Sequence, residues 1–144
     1  MATSGFGNTF RKAINDLIFK NTTFTANPGG VIYVSLHTGD PGADGQTANE
    51  VSGGSYAAKS TAATDWNAGT TADPSVVSNA NAITFVTATG SWGTVTHFGL
   101  WNHATNRAAA NFVGSKALTA SQAVANGNTV SFAASQLTHS LGTA

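Results

Sequence analysis

The stretch SWGTVTHFGLWN, Ser91 to Asn102, constrains this chain more than any other. It gathers two of the three tryptophans, a phenylalanine and a leucine between a glycine turn and a polar end. A period of two puts Thr96, Phe98 and Leu100 on one face and Val95, His97 and Trp101 on the other, which is the pattern of a strand. Aromatic and β-branched residues suit a pleated surface. Bulk on both faces requires cover on both faces, so this strand is expected to be central. Ser91–Trp92–Gly93 reads as a turn or bulge, because glycine reaches backbone angles that other residues resist.

Before that strand comes one helix. Phe6, Phe10, Ile14, Leu17 and Ile18 form a single apolar stripe at helical spacing, and the pattern predicts a helix over 8–20. Asn8 is a candidate cap, Lys20 suits the negative end of the helix dipole, and Asn21 suits a left-handed stop. The remaining pattern is β: 31–37, a weak strand at 55–63, a short piece at 76–77, then 82–87, 108–116, 118–124, 130–132 and an edge at 137–141. Turn residues punctuate these pieces, notably Asn126–Gly127–Asn128. The segment 38–54, TGDPGADGQTANEVSGG, is a long Gly-rich loop, the kind of segment that often carries function. The expected architecture is one domain over 1–144. It is mainly β, an antiparallel sandwich or jelly-roll-like body of about seven or eight strands over 31–141, with one N-terminal amphipathic helix.

Charge narrows the function classes. Only 8% of residues are charged and the formal net charge is zero, against a usual ~25% charged. Six scattered Lys and Arg make no basic stripe, so nucleic acid is not an expected partner. No apolar run reaches ~20 residues, so no membrane-spanning helix is expected. The charges are unevenly placed. Arg11, Lys12 and Lys20 against Asp16 leave residues 1–20 at +2, whereas Asp40, Asp44, Glu50, Asp65 and Asp73 against Lys59 leave residues 40–73 at −4. A basic end meeting an acidic loop of a neighbouring copy is one reading of that asymmetry.

No catalytic constellation stands out. The chain has no cysteine, and its four histidines show no metal-ligand spacing. Asp40 and Asp44 offer only part of the six to eight oxygens that calcium takes. No Walker loop, nucleophile elbow or dinucleotide fingerprint is present. No catalytic residue, metal or cofactor is therefore expected. Candidate interface residues are Phe6, Phe10, Arg11, Asp40, Asp44, Glu50, Trp66 and Trp92. Trp66 in a polar loop and Trp92 at a turn are candidates for exposure, as a contact surface or a sugar-stacking platform.

Four segments resemble a known family: VSLHTGDPG (Val34–Gly42), NEVSGGSYA (Asn49–Ala57), ITFVTATGSWGTVTHFGLWN (Ile83–Asn102) and NTVSFAASQLT (Asn128–Thr138). They look like small structural proteins of tailed bacteriophages, described as virion or tail-fibre-like. The resemblance implies a non-enzymatic virion protein made in the host bacterial cytoplasm. The main expectation is a capsid decoration (cement) protein on the capsid exterior. It would bind the major capsid protein of the assembled shell, stabilise the shell by mass action, and self-associate as a homotrimer. The alternative is a tail tip, knob or fibre component involved in host attachment. A small hydrolase using Asp40 or Asp44 is the chemical rival.

Overall fold

The computed structural model describes residues 5–45 and 47–141. In chain order the elements are β1 (Gly5–Phe6), α1 (Asn8–Lys20), β2 (Ile32–His37), β3 (Lys59–Thr61), β4 (Ser75–Ser78), β5 (Ile83–Thr87), β6 (Gly93–Trp101), β7 (Phe112–Val124), β8 (Thr129–Phe132) and β9 (Thr138–Leu141). Short 3-10 turns occupy Ala63–Asp65 and Ala109–Asn111. One antiparallel sheet has the order β1-β7-β6-β2-β3, and two ladders, β4-β9 and β5-β8, complete the strands.

The strand predicted to be central is central: β6 pairs with β2 on one side and β7 on the other. Val34, Leu36, Phe98 and Leu100 of its sheet share one core with Ile83, Phe85, Val130 and Phe132 of the β5-β8 ladder. This is the sandwich interface. The register pairs Tyr33 with Trp101, Ser35 with Gly99 and His37 with His97, so these residues point to the opposite face. There Trp101 and Phe112 are fully buried, with ring centroids 4.7 Å apart. A Cβ on Gly45 would lie 2.8 Å from Trp101 and 2.9 Å from Phe112, so the 38–54 loop lies directly on this face. Burial of each such large side chain contributes roughly 1.5–3 kcal/mol.

A bulge corrects the expected facing of β6. Val95 pairs with Gln122 and His97 with Ala117, so residues 118–121 of β7 oppose Thr96 alone. The slip turns Val95 onto the same core face as Phe98 and Leu100, where it is fully buried. Period-two reading had placed Val95 with His97 and Trp101. The pieces predicted at 108–116 and 118–124 are one strand, β7, carried through this bulge.

Other boundaries moved for local reasons. The strand predicted over 55–63 shrinks to Lys59–Thr61, because Gly53, Gly54 and Ser55 all adopt positive φ and form a turn. Tyr56 leaves that turn to stack on Phe85 and meet Trp92 edge-on. The helix spans the predicted 8–20, and Asn21 stops it at φ 51, ψ 35. Its cap, however, is Gly7, and the Asn8 side chain donates to Asp44 Oδ1 instead, at 2.9 Å. The Gly7 and Asn8 N–H groups donate to Val113 O and Ala43 O, both at 2.9 Å, which fixes the start of the helix between β7 and the loop. The two-residue β1 went unpredicted.

Gly99 shows how tight the second face is. A Cβ there would sit 2.6 Å from Ser35 Oγ and 2.9 Å from His37 Nε2. Gly99→Ala is expected to lower unfolding free energy by about 1–3 kcal/mol through overpacking. Gly29→Ala, whose Cβ would meet nothing within 4 Å, should leave it unchanged. Urea denaturation of the two variants checks the contrast.

Candidate functional site

The second face of the sheet holds a polar cluster. Trp101 Nε1 donates to Ser35 Oγ at 2.8 Å, and Ser35 Oγ lies 2.7 Å from His37 Nε2. With Trp101 occupying an acceptor position of the hydroxyl, Ser35 can donate to His37, and the ring proton then sits on Nδ1. A serine beside a histidine has the outline of a nucleophile and base. Both residues are 0% exposed, however, and His37 Nδ1 has no partner among the described residues. The arrangement pins β2 to β6 under the loop. Burial pushes His37 down to about 4, with the Glu50 carboxylate opposing the shift.

The loop is fastened beside this cluster. Arg107 makes two hydrogen bonds to Glu50, Nη2 to Oε1 at 2.8 Å and Nε to Oε2 at 2.9 Å. Its guanidinium lies 4.6 Å from the centre of the Trp101 ring, and its Nη1 donates to His103 O and Ala104 O. A two-point fork of this kind is geometrically specific, and here it ties the loop to the turn after β6. Tyr56 Oη accepts from Leu36 N at 2.8 Å and donates to Glu50 Oε1 at 3.3 Å.

The structure scatters the eight interface candidates. Phe10 is buried and meets Phe24 edge-on at 5.2 Å. Arg11 Nε donates to Phe6 O at 2.7 Å. Asp40 Oδ1 accepts from Gly42 N in its own turn, Asp44 holds Asn8, and Glu50 is taken by Arg107. Among the described residues no group of three or more His, Asp or Glu could hold a metal ion. Trp92 is corrected from surface candidate to core: it is 4% exposed, with Nε1 donating to Gly54 O at 3.0 Å. Trp66 is half-buried, its Nε1 donating to Thr61 Oγ1.

Phe6 and Trp66 do come together. With Ile32, Val77, Leu100 and Val113 they line an apolar pocket of about 190 Å³ between the β4-β9 ladder and the large sheet. His139 closes one side and meets Phe6 edge-on at 4.5 Å. Burial holds His139 below the usual histidine range, against a hydrogen bond with the Gly5 backbone.

A second cavity, of about 420 Å³, is mixed in character, with Leu118, Ala120 and Phe132 beside polar side chains. Thr119 of the β7 bulge and Gln122 just after it face Ser135 and Gln136 of the turn between β8 and β9 and Thr138 at the start of β9. Buried Asn79 holds that turn: its amide donates to Ala133 O at 2.9 Å and accepts from Leu137 N at 2.8 Å. Ser135 sits at φ 66 on the rim. Hydroxyls and amides without a carboxylate can hold a neutral polar ligand such as a sugar.

Sequence reasoning missed Arg107 as the partner of Glu50 and missed this cleft altogether. Of the helix stripe Phe10 is buried, whereas Leu17 and Ile18, with the neighbouring Phe19, face solvent. No helix among the described residues is long and apolar enough to cross a membrane.

A family model described as podophage GP4 fiber I protein gp80 matches residues 5–140. No curated protein matches the chain.

Buried neutral His37 makes stability depend on pH. Its folded value, about 4, lies below the unfolded value of ~6.5, so the unfolded chain binds the extra proton. The stabilisation is complete above the unfolded value and declines as pH falls from about 6.5 toward 4, by on the order of 3 kcal/mol. His139 acts in the same direction. Denaturation curves between pH 7.5 and 4.5 should show this loss, and His37→Gln should flatten it.

Proposed function

Because the chain belongs to the podophage GP4 fiber I protein gp80 family, a family of phage virion structural proteins, we propose that it is a component of the tail fibre that acts by binding rather than by catalysis. The family match over 5–140 carries this reading. The family's description favours the tail over the head shell, so the fibre reading displaces capsid decoration as the better account. The body suits such a role: a sandwich with a fastened loop offers rigid surfaces on which contacts can be built. Labelling intact particles with an antibody to this chain is expected to mark the tail. Label spread over the head, at hundreds of copies per particle, would return the decoration reading.

The face that meets the host, on this reading, is the cleft between the β7 bulge and the β8-β9 turn. Its lining mixes amides and hydroxyls with Leu118, Ala120 and Phe132 and contains no carboxylate, a composition that suits the hydroxyls and apolar ring faces of a surface glycan. Purified protein added to host cells should compete with phage adsorption. The double variant Gln122→Ala, Gln136→Ala should compete at least tenfold less well, with an unchanged circular dichroism spectrum. Equal competition by the variant would move the host contact elsewhere.

A further inference from the structure

The cleft beside the β7 bulge carries hydrogen-bond donors on one lip. Gln136 Oε1 accepts from Ala133 N at 2.8 Å. A backbone N–H can only donate, so the carbonyl end of this amide is fixed and its N–H groups are left for a ligand. Thr138 Oγ1 accepts from Lys116 Nζ at 2.7 Å. An ammonium likewise only donates, so the threonine proton is turned away from it. The other lip brings carbon: half-buried Leu118 and the Ala120 methyl, both from the bulge. We propose that this cleft selects an N-acetylated amino sugar. Its acetamido oxygen takes the Gln136 N–H and the Thr138 O–H, and its methyl lies on Leu118 and Ala120. This choice of sugar rests on the host-glycan reading of the cleft.

The donor lip is held in place before any ligand arrives. Buried Asn79 ties its turn at Ala133 and Leu137 through the side-chain amide, and at Ser135 through its backbone carbonyl, which accepts from Ser135 N at 2.8 Å. Such preorganisation lowers the ordering cost of binding. The volume of about 420 Å³ lies within the ~300–1,000 Å³ usual for small-molecule sites. Thr119 and Gln122 complete the cleft and can meet ring hydroxyls in either sense. Two other sugar classes match this lining less well. A simple hexose offers hydroxyls, which donate as readily as they accept and gain little from fixed donors, and it brings no methyl for Leu118. A uronic acid carboxylate would accept from the same donors. It would, however, lie against Leu118 and Ala120, and the Lys116 ammonium holds Thr138 without itself lining the cleft.

Titration of the full chain, followed by NMR of its amide groups, tests this directly. N-acetylglucosamine and N-acetylgalactosamine are compared with glucose and galactose, and with glucuronic and galacturonic acid. The side-chain N–H resonances of Gln136 should move with an acetamido sugar, at a Kd at least tenfold below that of its parent hexose. Gln136→Glu keeps an acceptor for Ala133 N and removes the outward donors. It should weaken that binding at least tenfold with an unchanged circular dichroism spectrum. Equal affinity for hexose and acetamido sugar would overturn the proposal and leave the glycan reading of the cleft standing. Tighter binding of a uronic acid, weakening as salt is raised, would overturn it in favour of an anion site. A Gln136 resonance that moves with none of these sugars also overturns it. Adsorption competition by the Gln122→Ala, Gln136→Ala variant then decides separately whether the cleft meets the host. Labelling of the head instead of the tail would end the fibre reading without changing the sugar preference of the purified protein.

Discussion

A central strand buried on both faces is the constraint that organises this molecule. Strand β6 carries Phe98 and Leu100 toward one side and Trp101 toward the other, all at or below 5% exposure. The first side is covered in the ordinary way, by ladders of the same sandwich. The second is covered by loop and helix, elements that bring backbone polar groups with them. That cover is stable because those groups are answered. Ala43 O and Val113 O accept from the helix start, Asn49 O accepts from Thr38 N, and Val51 N donates to Leu36 O. The Glu50–Arg107 fork then fixes the loop over Trp101. A long Gly-rich segment that would otherwise be mobile becomes a wall of the core.

Much of this was legible because it depends on periodicity and on turn residues. The helix limits, the Asn21 stop, the central position of β6 and the Asn126–Asn128 turn all follow from local chemistry. What was not legible depends on register between distant segments. Val95 reads as belonging with Trp101 until three extra residues in β7 shift the pairing. Trp92 reads as a turn residue open to water until Gly54, 38 positions away, accepts its N–H. The same holds for the surface. Phe6 and Trp66 were separate candidates 60 residues apart in the chain, and only the docking of the β4-β9 ladder makes them one pocket.

Low charge has a structural counterpart here. The few charged side chains largely serve the fold: Asp16 pairs with Lys12 and Lys20 along the helix, Glu50 with Arg107, and Asp65 caps its own turn. Surface recognition is thereby left to amides, hydroxyls and apolar side chains. Such contacts respond little to salt, unlike those of a steered, charged encounter. A protein that works outside the cell on a virion meets variable ionic strength, and this chemistry is suited to it.

The bulge in β7 has one more consequence. Pairing with β6 is fixed independently on its two sides, by Gly93–Val95 against 122–124 and by His97–Trp101 against 112–117. The four residues between belong to neither half of the ladder. Their number could change without dislodging the sheet, so the rim of the polar cleft is an adjustable lip on a fixed frame. Insertions or deletions confined to that lip would change the shape of the cleft while the interior stayed as it is.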